Sequence, residues 1–198
     1  MIEYVDFPRV PNNIVDDILD VVNNSDLLSR RDLQIAAADN VTKEIEKAHA
    51  SVSFDNNIGI PLSEIDKIYP DSATFLFLDP PAAALEWATK IFGDETYLHI
   101  QAMVNGTFVV PHIDENRKYA YNYLIQADPN TSTNFYKPKA EFCHLSATPA
   151  TVIPYDRLDV ISKQIIQKFK WHRFPTNIIH SVENISRPRI ALTVSVVK

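Results

Sequence analysis

The chain reads as a mainly β protein whose helices gather in its amino-terminal half, and three features predict this. From Tyr97 onward apolar residues recur with period two rather than 3.6. The alternating runs are short and are separated by turn-forming Asn, Asp and Pro, the pattern of a barrel or sandwich. The clearest helical periods, at Asn13 to Val22 and after Pro81, both precede that half.

Bulk properties fit one domain, with helical support and a first strand over 1–95 and the β core over 96–198. At 198 residues and 45% hydrophobic the chain is long enough for a sizeable core. A net charge of -6 offers no general electrostatic footprint for phosphate backbones or anionic lipid, so neither nucleic acid nor membrane is an expected partner. Cys143 is the only cysteine, which leaves no intrachain disulfide framework and suits a reducing compartment. Met1 to Asp6 lacks a basic start followed by an apolar core, and no apolar run approaches membrane-spanning length. The expectation is a soluble, cytoplasmic protein; its oligomeric state is left open.

Taken in order, Ile14, Ile18, Val21 and Val22 fall at i, i+4, i+7 and i+8, which predicts an amphipathic helix capped by Asn12 or Asn13. Leu33 to Ala50 reads as part helical, and Ser53 to Tyr69 as a connection with a short helix after Pro61. Thr74 to Leu78 is a short apolar strand stopped by Asp79-Pro80-Pro81. Asp79 then caps a helix with Leu85, Ala88 and Phe92 on one face and Gly93 at its end. Leu98, Ile100, Ala102 and Val104 alternate with Tyr97, His99, Gln101 and Met103, and Asn105-Gly106 turns the chain into Phe108-Val109-Val110. Tyr119, Tyr121, Tyr123 and Ile125 share one face of the next strand. Asn134 to Tyr136 is a short strand, and Lys137 to Pro154, with three prolines, reads as a loop. Leu158 to Ile166, which could also be a helix, and Lys168 to Phe174 read as strands. The last run places Ile190, Leu192, Val194 and Val196 on one side, with Arg189, Ala191, Thr193 and Ser195 on the other. Together these elements predict a double-stranded β-helix, the cupin-like jelly roll, with flanking helices.

The residues that carry chemistry begin at Val110-Pro111-His112-Ile113-Asp114. Residues two apart on a strand face the same way, so His112 and Asp114 can offer an imidazole nitrogen and a carboxylate oxygen to one ion. His180 is the best candidate for a third ligand from a distant strand. Two histidines and one carboxylate leave coordination positions open, as oxygen chemistry at non-haem Fe(II) requires. On the last strand a guanidinium at Arg189, followed by small residues, suits bidentate capture of a carboxylate.

With Phe174-Pro175 before His180, and Arg189 nine residues after it, this set resembles the Fe(II)- and 2-oxoglutarate-dependent dioxygenases, in particular their prolyl-hydroxylase-like branch, over roughly Tyr97 to Val196. The resemblance implies that His112, Asp114 and His180 hold iron and that Arg189, with Arg187 as a rival, binds the far carboxylate of 2-oxoglutarate. It also implies that Tyr123 hydrogen-bonds that carboxylate and that the Lys137 to Pro154 stretch covers the site or contacts the substrate. It further implies O2 as oxidant, ascorbate as a supporting reductant, and hydroxylation of a C–H bond in a peptide side chain or an amino-acid-like small molecule. Two other functions stay open: a non-catalytic cupin-like binding module, and a zinc hydrolase using the same ligands with Glu115 as base. His49, His144 and His172 read as structural, Cys143 as packing, the Trp171-His172-Arg173 cluster as strand packing, and His99 with Gln101 as candidates to line a pocket.

Overall fold

The computed structural model describes residues 1–25, 69–93, 96–104, 106–114, 118–140 and 150–196. The readings for Leu33 to Ala50, for most of Ser53 to Tyr69, and for His49, Asn105, Glu115, Cys143 and His144 lie outside the described residues. The strands are β1 (Glu3–Tyr4), β2 (Thr74–Leu78), β3 (Thr96–Val104), β4 (Phe108–Asp114), β5 (Tyr119–Gln126), β6 (Ser132–Pro138), β7 (Ala150–Val152), β8 (Leu158–Ile165), β9 (Trp171–Pro175), β10 (His180–Glu183) and β11 (Arg189–Val196). The helices are α1 (Asn12–Asn23) and α2 (Ala82–Phe92).

These strands form two sheets, ordered β1-β9-β5-β11-β3-β2 and β7-β4-β10-β6-β8. From β3 to β6 and again from β8 to β11 the chain steps from one sheet to the other at each strand. That alternation winds two antiparallel layers around one interior, and the result is the double-stranded β-helix, or jelly roll. Strands β1 and β2 extend the larger sheet at its two edges.

The terminal strand divides as its alternation predicts. Ile190, Leu192 and Val194 join Leu98, Ile100, Ala102, Tyr123 and Trp171 in a core that α1 and α2 cover from outside. Ile18, Ile100 and Leu192 are fully buried there, each contributing roughly 1.5–3 kcal/mol. The other face of the larger sheet meets the smaller one: Met103 packs on Val109 and Val182, while Ala120 and Phe174 pack on Phe135. Arg189, Ala191 and Thr193 alternate with the outer set and therefore point into this interior.

Some elements depart from the sequence expectations. α1 starts after Pro11 and α2 after Pro81, neither with a side-chain cap, so Asn12, Asn13 and Asp79 do not play that part. Proline's fixed φ replaces them at the helix entrance. Leu85 is exposed; Ala84 and Ala88 are the buried positions of α2, because small residues let the helix lie close to the sheet. Gly93 ends α2 with φ at 92°, which a side chain would resist. The stretch from Lys137 to Pro154 contains β7, which pairs with β4 from His112 to Asp114, so part of it is sheet rather than cover. Leu158 to Ile165 is a strand.

Candidate metal centre

Strand alternation alone would turn His112 away from the interior. Val109 faces inward, against Met103 and Val182, and an unbroken strand would then send residues 111 and 113 inward too. The ladder to β10 pairs Val182 with Val109 but His180 with His112, so β4 spends one residue more than β10. This bulge, at Val110-Pro111, reverses the parity and aims His112 and Asp114 inward; proline, which has no N–H to give, is tolerated there.

His180 stands opposite His112, with ring centroids 4.3 Å apart. Nδ1 of His112 donates to the Val110 carbonyl at 2.9 Å, and Nδ1 of His180 to the Ile178 carbonyl at 2.9 Å. A carbonyl only accepts, so in the neutral ring each Nε2 carries a lone pair ready for an ion. Nε2 of His112 lies 3.7 Å from an Asp114 carboxylate oxygen, a pairing of acceptors that a cation would reconcile. The Asp114 backbone is held by its N–H to the Thr176 carbonyl at 3.2 Å. One donor atom from each of the three residues lies within 4.8 Å of the others, a span that a single ion with bonds of roughly 2.0–2.2 Å can draw together. Both histidines are buried and Asp114 is half-buried. Two imidazoles and one carboxylate therefore fit a divalent first-row ion with open positions.

The interior next to this group holds a cation. Arg189 is 4% exposed and donates to Met103 Sδ at 3.6 Å; no acidic partner pairs with it among the described residues. Burial lowers its pKa to about 10, which still leaves it charged at neutral pH. Met103 packs on Val109 and Val182, the inward residues next to His112 and His180 on their strands, so Arg189 lies one layer deeper than the metal ligands. Arg187 is exposed and donates to the Ala127 carbonyl at 2.8 Å. Arg189, not its rival, is the inward guanidinium.

Tyr123 is not brought into this group. It sits in the outer core with Trp171, ring centroids 5.2 Å apart, beneath the helices. Burial raises its hydroxyl pKa, with Arg9 opposing. The tyrosine alternation was legible, but the sequence does not mark which face of that strand points inward. His99 and Gln101 are buried on the inward face of β3, His99 edge-on to Phe77 at 4.9 Å.

Two features escaped the sequence reading. His172 is fully buried, and its register partner is Asn122, whose own partner is Thr193, all on the inward face. Burial first and the charge of Arg189 second lower its pKa to about 3, against a weaker contribution from the Lys170 backbone. The signal was available: if Trp171 is outward, His172 must be inward. The other feature lies behind β10, where the hydroxyls of Tyr136, Ser181 and Tyr155 all donate to Glu183 Oε1, at 2.7, 3.3 and 3.4 Å. Burial pushes the Tyr136 hydroxyl up to about 12 and raises Tyr155 as well. This network stiffens the strand that carries His180.

No protein-family model matches the chain, and no curated protein does. Among solved structures it is similar to hydroquinone 1,2-dioxygenase PnpCD, with TM-score 0.36 and 9% identity over 51% of this chain and 58% of that one. It is also similar to oxalate oxidase, with TM-score 0.35 and 12% identity over 63% and 51%. A third is procruciferin, an 11S globulin from Brassica napus, with TM-score 0.34 and 9% identity over 72% and 28%. The chain thus spans between about a quarter and three fifths of these structures' lengths. The protein is a jelly roll with a candidate two-histidine, one-carboxylate metal centre.

Proposed function

We propose that this chain is an Fe(II)- and 2-oxoglutarate-dependent oxygenase that hydroxylates a C–H bond in a peptide side chain, prolyl-like, or in a small amino-acid-like molecule. The observation that carries this reading is Arg189, a buried guanidinium with no acidic partner among the described residues, one layer beneath three convergent metal donors. An uncompensated interior charge is costly unless a ligand neutralises it. A dicarboxylate whose head reaches an ion at His112, Asp114 and His180 would bring its far carboxylate to that guanidinium.

Iron bound there would supply the oxidation, in which 2-oxoglutarate and O2 become succinate and carbon dioxide while one oxygen atom enters the substrate C–H bond. The protein's own tasks are binding and orientation. His112 and His180 present Nε2 because their Nδ1 protons are committed to backbone carbonyls. Asp114 adds negative charge that favours a divalent cation. Val109, Val182 and Met103 keep the layer between ion and arginine apolar, so the carboxylate–guanidinium pair forms away from water, where it is strongest. Three protein donors among the described residues, rather than the four of a closed structural site, support catalysis over a purely structural ion.

The test is succinate formation from 2-oxoglutarate by purified protein with Fe(II), ascorbate and O2, beside His180→Ala. Succinate that depends on His180 is expected. Its absence, together with no thermal stabilisation by 2-oxoglutarate plus Mn(II), would overturn the oxygenase reading in favour of a binding module.

A further inference from the structure

The inward face of the larger sheet does not stay buried to its edge. Tyr97 on β3 is 63% exposed and Phe77 on β2 is 51% exposed. Both lie on that face: Tyr97 alternates with Leu98 and Ile100 of the outer core, and Phe77 pairs in register with Gln101. Buried His99 joins them, its ring centroid 4.9 Å from Phe77 and 5.6 Å from Tyr97. Two large aromatic rings left open side by side mark a contact surface rather than scattered apolar exposure.

This wall stands at the metal end of the interior. β3 ends at Val104 and β4 starts at Phe108, so backward along β3 and forward along β4 are one direction. Met103 and Val109 pack together where that course begins; Tyr97 and Asp114, the half-buried ligand, lie where it ends. Register supplies the span. Phe174 pairs with Ala120, Tyr97 pairs with Ser195, and the pairing of Val194 with Tyr121 sets Ser195 beside Ala120. Phe174, whose ring packs 4.8 Å from that of His180, and Tyr97 therefore end one row across four strands, about 14 Å at roughly 4.8 Å per strand step. A free amino acid does not bridge that distance, whereas an extended peptide covers it in about four residues.

The backbone beside the wall also suits a peptide. β2 pairs with β3 from Val104 to Ile100 and stops at Leu78, where Asp79-Pro80-Pro81 leads the chain off the sheet into α2; proline has no N–H with which to continue a ladder. Tyr97 and Leu98 thus have a strand partner only on the β11 side among the described residues. An open strand edge flanked by apolar side chains is what an added peptide strand uses, the backbone giving affinity and the side chains specificity.

We propose that Phe77 and Tyr97 form the substrate-docking ledge of the metal centre, and that its occupant is an extended peptide which lays an apolar residue on the two rings about four positions from the residue held at the metal. The ledge rests on the oxygenase reading above and assigns to that site a residue within a peptide rather than a free amino acid.

The experiment is capture of the full chain, loaded with Mn(II) and 2-oxoglutarate, on an immobilised library of random ten-residue peptides, followed by affinity measurement on the captured sequences. The wild type should capture peptides that share an apolar position. Phe77→Ser with Tyr97→Ser should weaken them by about tenfold or more, as loss of aromatic anchors at an interface does, and should keep the melting-temperature response to Mn(II) and 2-oxoglutarate. Phe77→Tyr with Tyr97→Phe, which keeps both rings, should bind like the wild type. Wild-type protein that responds to Mn(II) and 2-oxoglutarate but captures no peptide would overturn the ledge, as would captured peptides bound within about twofold by the double serine variant. Wild-type protein with no response to Mn(II) plus 2-oxoglutarate would overturn the oxygenase reading itself, and the ledge with it.

Discussion

His112 and His180 face each other across the β4–β10 ladder, and each is oriented by the same device, an Nδ1 proton given to the carbonyl two residues upstream. Two strands distant in sequence thus present the same nitrogen to the same point. Asp114 completes the point from the strand of His112.

These ligands should separate from the arginine in a binding experiment. Asp114→Ala and His180→Ala should each abolish the rise in melting temperature that Mn(II) gives the wild type. Arg189→Ala should keep that rise and lose only the further rise from 2-oxoglutarate. Thermal shift with the metal alone, then with metal and co-substrate, distinguishes the two; loss of the metal response in Arg189→Ala would contradict the roles assigned.

The bulge at Val110-Pro111 makes a second prediction. Deleting Pro111 removes the extra residue of β4, restores simple alternation after Val109, and turns the histidine and aspartate toward the outer face. The expected protein folds with reduced stability and does not bind Mn(II). Retained metal affinity after the deletion would mean that the bulge does not set the direction of the ligands.

How much of this was legible in the sequence varies with the physics involved. The alternation of β11 identified both its faces and the inward place of Arg189, because a period-two pattern with one wholly apolar face has a single solution against a core. The metal set was legible from residue chemistry. The reason it points inward was not, because a bulge adds a residue without altering composition, and Pro111 reads equally well as a strand edge. Tyr123 failed for a related cause: tyrosines on one face and Ala120, Asn122 and Leu124 on the other suit either side of a sheet, and the helices of the amino-terminal half decided it. Lys137 to Pro154 concealed β7 because three residues are too short a run to show a period.

Tyr123→Phe tests that reassignment. Its hydroxyl lies in the outer core, not beside Arg189, so the substitution should leave 2-oxoglutarate affinity unchanged and alter stability by no more than about 1 kcal/mol. A clear loss of affinity, measured by calorimetric titration, would return the tyrosine to the site.

The buried histidine also predicts how stability responds to acid. His172 titrates near 6.5 when unfolded and has a pKa of about 3 in the fold, lowered mainly by burial and then by Arg189. The unfolded chain therefore binds the extra proton first, and stability present above pH 6.5 falls as the pH drops toward 3. The slope from this one group approaches about 1.4 kcal/mol per pH unit within that window. Among the described residues, Arg189 on β11, which with a pKa of about 10 stays charged through this window, and Tyr4 on β1, edge-on at 6.5 Å, are the ionisable groups near the ring. Asp128 is also lowered, first by the hydroxyl of Ser186 and then by the N–H of Asn130. A lowered carboxylate acts below its ordinary value of 3.8, at the acid end of the window. Urea unfolding at pH 7.5, 6 and 5 should thus show a loss in the wild type that His172→Leu largely removes, even if the variant is less stable at pH 7.5. Parallel loss in both proteins would place the acid sensitivity elsewhere and remove the case for a neutral, buried ring at this position.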